Sequence, residues 1–102
     1  AYIVIVKESA NLTSTIGAKW KNKDFSSIDI GIAASYLTLA AASEKIGSCI
    51  IGWFNENKIK ELLKIPSNKR IELVIALGYS LENNRSKKRK AYNSVISFNK
   101  YD

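Results

Sequence analysis

The stretch that decides the fold is DIGIAASYLTLAAASEKIGSCIIGWF, residues 29–54. A capping pattern at residues 26–29 predicts that a helix begins there. Gly47 is expected to end it, because glycine tolerates a left-handed backbone. No charge occurs between Asp29 and Glu44, and a helix that is apolar all round is expected to be buried on more than one side, in a core or at a subunit interface. Asp29 itself is interpreted as a structural residue that interacts favourably with the helix dipole.

Apolar runs on both sides of this helix predict strands. Residues 2–6 and 71–79, YIVIV and IELVIALGY, are continuous β-prone runs, a pattern typical of strands covered on both faces. The piece GSCIIG, residues 47–52, is interpreted as a buried strand between two turns, and VISF, residues 95–98, as a short edge strand. Together these segments predict a sheet of several strands.

A second helix is predicted between the last two long strands. Asn55 is a capping residue, residues 56–65 have amphipathic spacing, and Pro66 is expected to end the helix. Residues 9–25 have no clean periodicity and are interpreted as an irregular loop. The order strand, helix, helix, strand favours an α/β or α+β sheet layered with helices.

The positive charge is concentrated near the C-terminus. The 102-residue chain has a net charge of +7, but residues 1–82 hold ten basic and eight acidic residues. Residues 83–102 hold six basic residues and one acidic residue. The six are Arg85, Lys87, Lys88, Arg89, Lys90 and Lys100. The sequence therefore predicts that this short stretch faces an anion.

Composition excludes several kinds of chemistry. The chain has no histidine, so it has no His-based acid–base catalysis or His-ligated metal. Its one cysteine, Cys49, cannot form an internal disulfide or a Cys-rich metal site, which is compatible with a cytoplasmic protein. No signal-peptide pattern is present, and the central helix is expected to be too short for a membrane, which needs ~20 apolar residues. Because the chain lacks methionine, we expect it to be processed or a piece of something longer.

Four segments in order carry a resemblance to a known family. They are residues 29–54, a helix ending ELLKIP, the strand ELVIALGYS and the basic run KKRK. This combination resembles the C-terminal half of the nitroreductase family of flavoproteins, over about residues 29–98. The resemblance implies an α+β, three-layer fold with a central, mostly antiparallel sheet flanked by helices.

The same resemblance implies a function and an assembly. Nitroreductases bind FMN at a homodimer interface and transfer hydride from NADH or NADPH to nitroaromatics, quinones or related acceptors. The small-residue helix at residues 30–43 would be the dimer-interface helix. Family members are longer, and their N-terminal half carries a basic motif that has no counterpart here. Residues 1–102 are therefore expected to be the C-terminal portion of one such domain, unable to form a complete flavin site alone.

The resemblance also implies the residues that hold FMN. Cys49, Ile50, Ile51, Gly52 and Trp53 would lie along one face of the flavin ring, with the two isoleucines packed on it. A backbone N–H near Gly52 or Trp53 would point to flavin N5, a close approach that glycine permits, and a donor there favours the reduced state. No side chain of this half is expected to be catalytic, because the flavin carries the redox step.

Two cations are expected to bind the FMN phosphate. The resemblance places them one residue apart after the last core strand, at Lys87 and Arg89, although the crowded run leaves the register open by one residue. Arg supplies a bidentate fork and Lys a point charge. The alternative for this run is a solvated charged surface.

Alternatives remain for the other residues and for the function. Cys49 alone is expected to be a small buried hydrophobic residue. Trp53 and Phe54 are expected in the core, or in an acceptor pocket. The charge run also suits a nucleic-acid-binding module, although no such motif is present and neither a nucleic-acid nor a membrane partner is expected. A redox-inactive flavin-binding relative is the third alternative.

Overall fold

Three strands and two helices form the described part of the chain, residues 1–8, 24–81 and 86–101 of a computed structural model. The elements in chain order are β1 (Tyr2–Lys7), α1 (Phe25–Ser43), β2 (Gly47–Ile51), α2 (Glu56–Leu63) and β3 (Arg70–Gly78), followed by a 3-10 turn at Tyr92–Ser94. The strands predicted at residues 2–6, 47–52 and 71–79 are all confirmed, and each observed end lies within one residue of its prediction.

Strand β3 lies between β1 and β2 and pairs antiparallel with both. Its apolar run supplies three of the five buried apolar residues of the described chain, Ile71, Val74 and Ile75, and Ile75 has no exposed surface. A central strand needs apolar residues on both faces because both are covered. The antiparallel sheet with its helices confirms the predicted α+β class.

Helix α1 begins at a different cap from the one predicted. The cap is Asp24, whose Oδ1 accepts a hydrogen bond from the backbone N–H of Ser27 at 3.2 Å. Lys7 Nζ on β1 donates to Asp24 Oδ2 at 2.8 Å. The cap predicted at residues 26–29 is therefore wrong, since those residues are already helical. Asp29 lies beyond the first turn, so its predicted role at the helix dipole passes to Asp24.

The end of α1 also differs from the prediction. The helix ends at Ser43, and Lys45 takes the left-handed conformation with φ 59°. Ile46 N–H donates to Ala41 O at 2.8 Å, which closes the last turn as a Schellman motif. The prediction that Gly47 holds the left-handed position is wrong, because Gly47 is already the first residue of β2 and no described glycine has positive φ.

Only one face of α1 is buried. Ala34 and Ala41 pack towards the sheet, which α1 contacts along all three strands. Four large apolar side chains on the opposite face are between 51% and 71% exposed. These four, which we call the apolar stripe, are Ile28, Ile32, Tyr36 and Leu39. Within the described chain α1 is therefore not a core helix buried on several sides, and its burial at a subunit interface stays a prediction.

The length of α1 does not exclude a membrane span. The helix has 19 residues, and an 18-residue window of it has a mean hydropathy of 1.4, so by length and composition alone it is long and apolar enough to cross a membrane. The length argument made from the sequence is thus wrong. One such helix is weak support for a span, however, since core helices pass the same test and α1 packs on a sheet.

Helix α2 confirms its predicted cap but is shorter than predicted. Asn55 Oδ1 accepts from the backbone N–H of Lys58 at 3.1 Å. The helix ends at Leu63 because Lys64 turns left-handed, with φ 55°, before Pro66 is reached. Residues 95–98 form no strand, so that prediction is wrong, and the loop predicted at residues 9–25 lies outside the described residues except for its last two.

The Asp24 cap makes stability depend on pH. Hydrogen bonds from Lys7 and then from Ser27 hold the pKa of Asp24 well below its ordinary 3.8. A lowered folded pKa means that the stabilisation is present above about pH 4 and is lost as the pH falls below it. We predict that Asp24→Ala lowers the urea midpoint of the purified protein more at pH 7 than at pH 3. An equal effect at both values would contradict this account.

Candidate functional site

The segment predicted to contact a flavin lies at an edge of the sheet. Among the described residues, β2 pairs only with β3, and Cys49 and Ile50 are exposed. Trp53, just beyond the strand, is 96% exposed, and Phe54 is half-buried. The predictions of a buried strand, a buried Cys49 and a core Trp53 are therefore wrong for this chain. An exposed tryptophan beside an exposed strand is a surface that another group can cover.

The pleat of β2 separates two of the predicted contact residues. Ile50 lies opposite Ile75 and Ile51 opposite Val74, and adjacent strand residues point to opposite faces of a sheet. Only one isoleucine can place its side chain against a given face of a planar ring. Ile50 is the more exposed of the two. The backbone atoms of both isoleucines belong to the segment predicted to contact the flavin.

Gly47 begins β2 and Gly52 follows its last residue, and the two glycines have different surroundings. At Gly47 an added Cβ would lie 3.0 Å from the carbonyl oxygen of Gly78, its partner in the β2–β3 ladder. At Gly52 an added Cβ would meet nothing within 4 Å among the described residues, and φ is not positive. Packing within the described chain thus explains Gly47 and leaves Gly52 unexplained. Gly31 and Gly78 are equally open, and the open space at Gly52 leaves room for another group to approach its backbone closely.

The backbone around Gly52 is anchored on both sides. The β2–β3 ladder ends at Ile51 opposite Val74. After the exposed turn, Asn55 caps α2 and Glu56 Oε1 accepts from the backbone N–H of Ile71 at 2.9 Å. Sequence reasoning found the Asn55 cap but missed Glu56. A glutamate in the first turn of a helix indicates an interaction with the helix dipole, not a bond to a strand.

Glu56 is held as a carboxylate by two neighbours. Lys60 Nζ lies 2.8 Å from Glu56 Oε1, one helical turn away. That hydrogen bond, and secondarily the one from Ile71, lowers the pKa of Glu56 below its ordinary value. The carboxylate is therefore ionised at neutral pH, when it acts as an acceptor only.

The basic run lies in an exposed segment without regular structure. Lys87, Lys88, Arg89 and Lys90 are all exposed, and no carboxylate of the described residues pairs with them. The chain leaves β3 at Gly78, beside Gly47. That point is about 14 Å from Ile51 along β2, at ~3.4 Å per residue. The segment from Gly78 to the basic run is thus attached at the far end of β2 from Gly52.

Other described features suggest no further chemistry. An open cleft of about 370 Å³ lies between the end of α1, the start of β2 and the end of β3. It is lined by Ala42, Lys45, Ile46, Gly47, Tyr79 and Ser80. Within residues 1–8, 24–81 and 86–101, no group of acidic and cysteine side chains has a metal-binding arrangement.

Comparisons with known proteins identify the family. The family model described as "Nitroreductase family" matches residues 1–79. The chain belongs to the nitroreductase family, and the resemblance carried by its sequence motifs is confirmed.

Two solved structures have similar folds. The structure of NfrA1 from B. megaterium matches with a TM-score of 0.74 and 23% identity, over 99% of this chain and 46% of that one. A nitroreductase family protein from Streptococcus pneumoniae TIGR4 matches with a TM-score of 0.67 and 28% identity, over 81% of this chain and 44% of that one. The chain thus spans less than half the length of either protein.

The two glycines give a prediction about stability. We predict that Gly47→Ala lowers the free energy of unfolding by about 1 kcal/mol, because the new methyl group is forced against the Gly78 carbonyl. Gly52→Ala should change it by less than about 0.5 kcal/mol, since the site is open. Urea unfolding of the purified protein, without added ligand, measures both. Equal losses in the two variants would contradict the difference in packing.

Proposed function

We propose that this chain is the C-terminal portion of an FMN-dependent oxidoreductase of the nitroreductase type. It would take electrons from NADH or NADPH and transfer them to nitroaromatic, quinone or related acceptors. Membership in the nitroreductase family supports a flavin-dependent oxidoreductase in general. Bound FMN would supply the redox chemistry, and the residues of this chain would bind and orient it.

The observation that carries the proposal is the open, anchored backbone at Gly52. A flat ring that approaches an N–H group closely needs a residue without Cβ, and nothing in the described chain requires glycine at this position. The neighbouring Ile50 and Trp53 offer exposed apolar surface for the ring. We propose that Cys49, Ile50 and Ile51 contact the flavin ring through their backbone or through the side chains on one face of β2. We also propose that an N–H near Gly52 or Trp53 donates to flavin N5.

The chemistry of the donor set also fits the other end of FMN. The cofactor has a planar ring at one end and a phosphate dianion at the other. Lys87 and Arg89 lie in the segment attached to the far end of β2, and both are exposed. We propose that they bind the phosphate, Arg89 through a bidentate pair of N–H groups and Lys87 as a point charge.

The exposed surface supports a further part of the protein and a second copy. Large apolar side chains of the described residues are exposed, including the apolar stripe on α1 and Trp53, and exposed apolar patches mark interaction surfaces. We propose that the N-terminal half of the same domain and a second subunit cover this surface, so that the complete protein is a homodimer.

We also propose a cytoplasmic location, because the lone Cys49 is exposed and unpaired, as is usual in a reducing compartment.

Nucleic-acid binding and a redox-inactive flavin protein are the alternatives that the experiments must separate. The first predicts a salt-sensitive complex with duplex DNA, and the second predicts bound FMN that NAD(P)H does not reduce.

The proposal predicts the colour of the purified full-length protein. It should be yellow with one FMN per subunit, and NADH or NADPH should bleach the flavin absorbance without oxygen. A colourless protein that rejects added FMN would refute the proposal. Bound FMN that neither NADH nor NADPH bleaches would favour the redox-inactive alternative.

The phosphate contact gives a separate prediction. Arg89→Ala in the full-length protein should raise the Kd for FMN by roughly ten- to a hundredfold, the usual effect of removing a charged hydrogen bond. Lys58→Ala, which removes an exposed cation on α2, is the matched control and should leave the Kd unchanged. Comparison of Lys87→Ala with Lys88→Ala fixes the register. Equal Kd values for Arg89→Ala and the wild type would remove Arg89 from the site.

A further inference from the structure

We propose that Glu56 is a positioning residue that fixes the Gly52–Trp53 backbone for its contact with the flavin. The inference rests on the proposed function, because it assigns Glu56 to the same site. The Glu56 carboxylate bonds to the Ile71 N–H and to Lys60. It acts through the backbone N–H of Ile71 on the central strand.

The turn at residues 52–54 is held at both of its ends. Residues 52–54 connect two points attached to the same strand. Before the turn, Ile51 lies opposite Val74, and after it, Glu56 binds Ile71, three residues back along β3. A connection whose two ends are held on one rigid strand has few backbone conformations available to it. The central position of β3 makes that strand the most constrained reference in the sheet.

The hydrogen bond between Glu56 and the Ile71 N–H holds the end of the turn that leads into α2. Ile71 is 3% exposed and its bond to Glu56 is part-buried, so an N–H there that loses its partner is costly to leave unsatisfied. The Glu56 carboxylate satisfies it at 2.9 Å. Lys60 holds the same oxygen at 2.8 Å and keeps the carboxylate in place against the strand. The bond to Ile71 ties the first turn of α2 directly to the sheet.

The contribution of Glu56 to the turn is distinct from a contribution to the stability of helix α2. Asn55 already caps α2 through the N–H of Lys58, so the helix start does not depend on Glu56 alone. The contact that only Glu56 supplies runs from the helix to the strand. Its loss should therefore free residues 52–54 more than it unwinds α2.

The test uses the full-length protein in four forms besides the wild type. Glu56→Ala removes the acceptor, and Glu56→Asp retracts the carboxylate by one methylene in a variant that retains its charge. Glu56→Gln keeps an oxygen that accepts from Ile71, and Glu61→Ala removes an exposed carboxylate from the same helix as the matched control. Each form is measured for amide exchange at residues 52–54 without FMN, for the Kd of FMN, and for the absorption spectrum and midpoint potential of bound FMN.

We expect Glu56→Ala and Glu56→Asp to exchange faster at residues 52–54. They should bind FMN roughly tenfold more weakly, in line with the loss of one part-buried hydrogen bond to a charged group, and shift the spectrum and potential of the flavin. Glu56→Gln and Glu61→Ala should match the wild type. Rescue by Gln identifies the bond to Ile71, and not the charge, as the cause.

Two results would overturn the inference. One is unchanged exchange at residues 52–54 in Glu56→Asp, and the other is faster exchange with a wild-type spectrum, potential and Kd. A wild-type protein that binds no FMN would instead refute the proposed function. The exchange rates would then still decide whether Glu56 holds the turn, so the two failures are distinguishable.

Discussion

The pairing of β3 with strands on both of its sides is the constraint on which the rest of the structure depends. Ile75, at the middle of β3, lies opposite Ile3 of β1 and Ile50 of β2 and has no exposed surface. Helix α1 packs on this sheet, and Glu56 fastens α2 to its beginning. The candidate site is therefore placed by β3 although none of its residues belongs to that strand.

The same sheet accounts for what the described chain leaves uncovered. Three strands and one packed helix bury few large side chains, because a small sheet has little interior. The apolar stripe of α1 and the aromatic surface at Trp53 stay exposed. The chain spans less than half the length of its structural relatives, and these surfaces are where the proposed N-terminal half and the proposed second subunit would pack.

The sequence predicted the elements better than their boundaries or burial. Continuous apolar runs identified β1 and β3, although only the central β3 has buried side chains and β1 is a partly exposed edge strand of the described sheet. The ends of helix α1 were harder to predict. Asp24 caps its start and Lys45 takes the left-handed position at its end, each through local hydrogen bonds, whereas Ser26 and Gly47 are the residues that the sequence pattern favours for these positions. Exposure at Cys49 and Trp53 was missed, because an apolar residue is expected inside and the sequence does not show what remains to cover it.

The central claim is that β2, the turn after it and the basic run bind one elongated cofactor from two ends. The most direct test is amide exchange of the full-length protein with and without FMN, followed by mass spectrometry. The account predicts slower exchange on adding FMN in residues 47–54 and 86–90 together, with no change in the outer turns of α2. Protection of neither segment, or of the basic run alone on adding DNA, would contradict it.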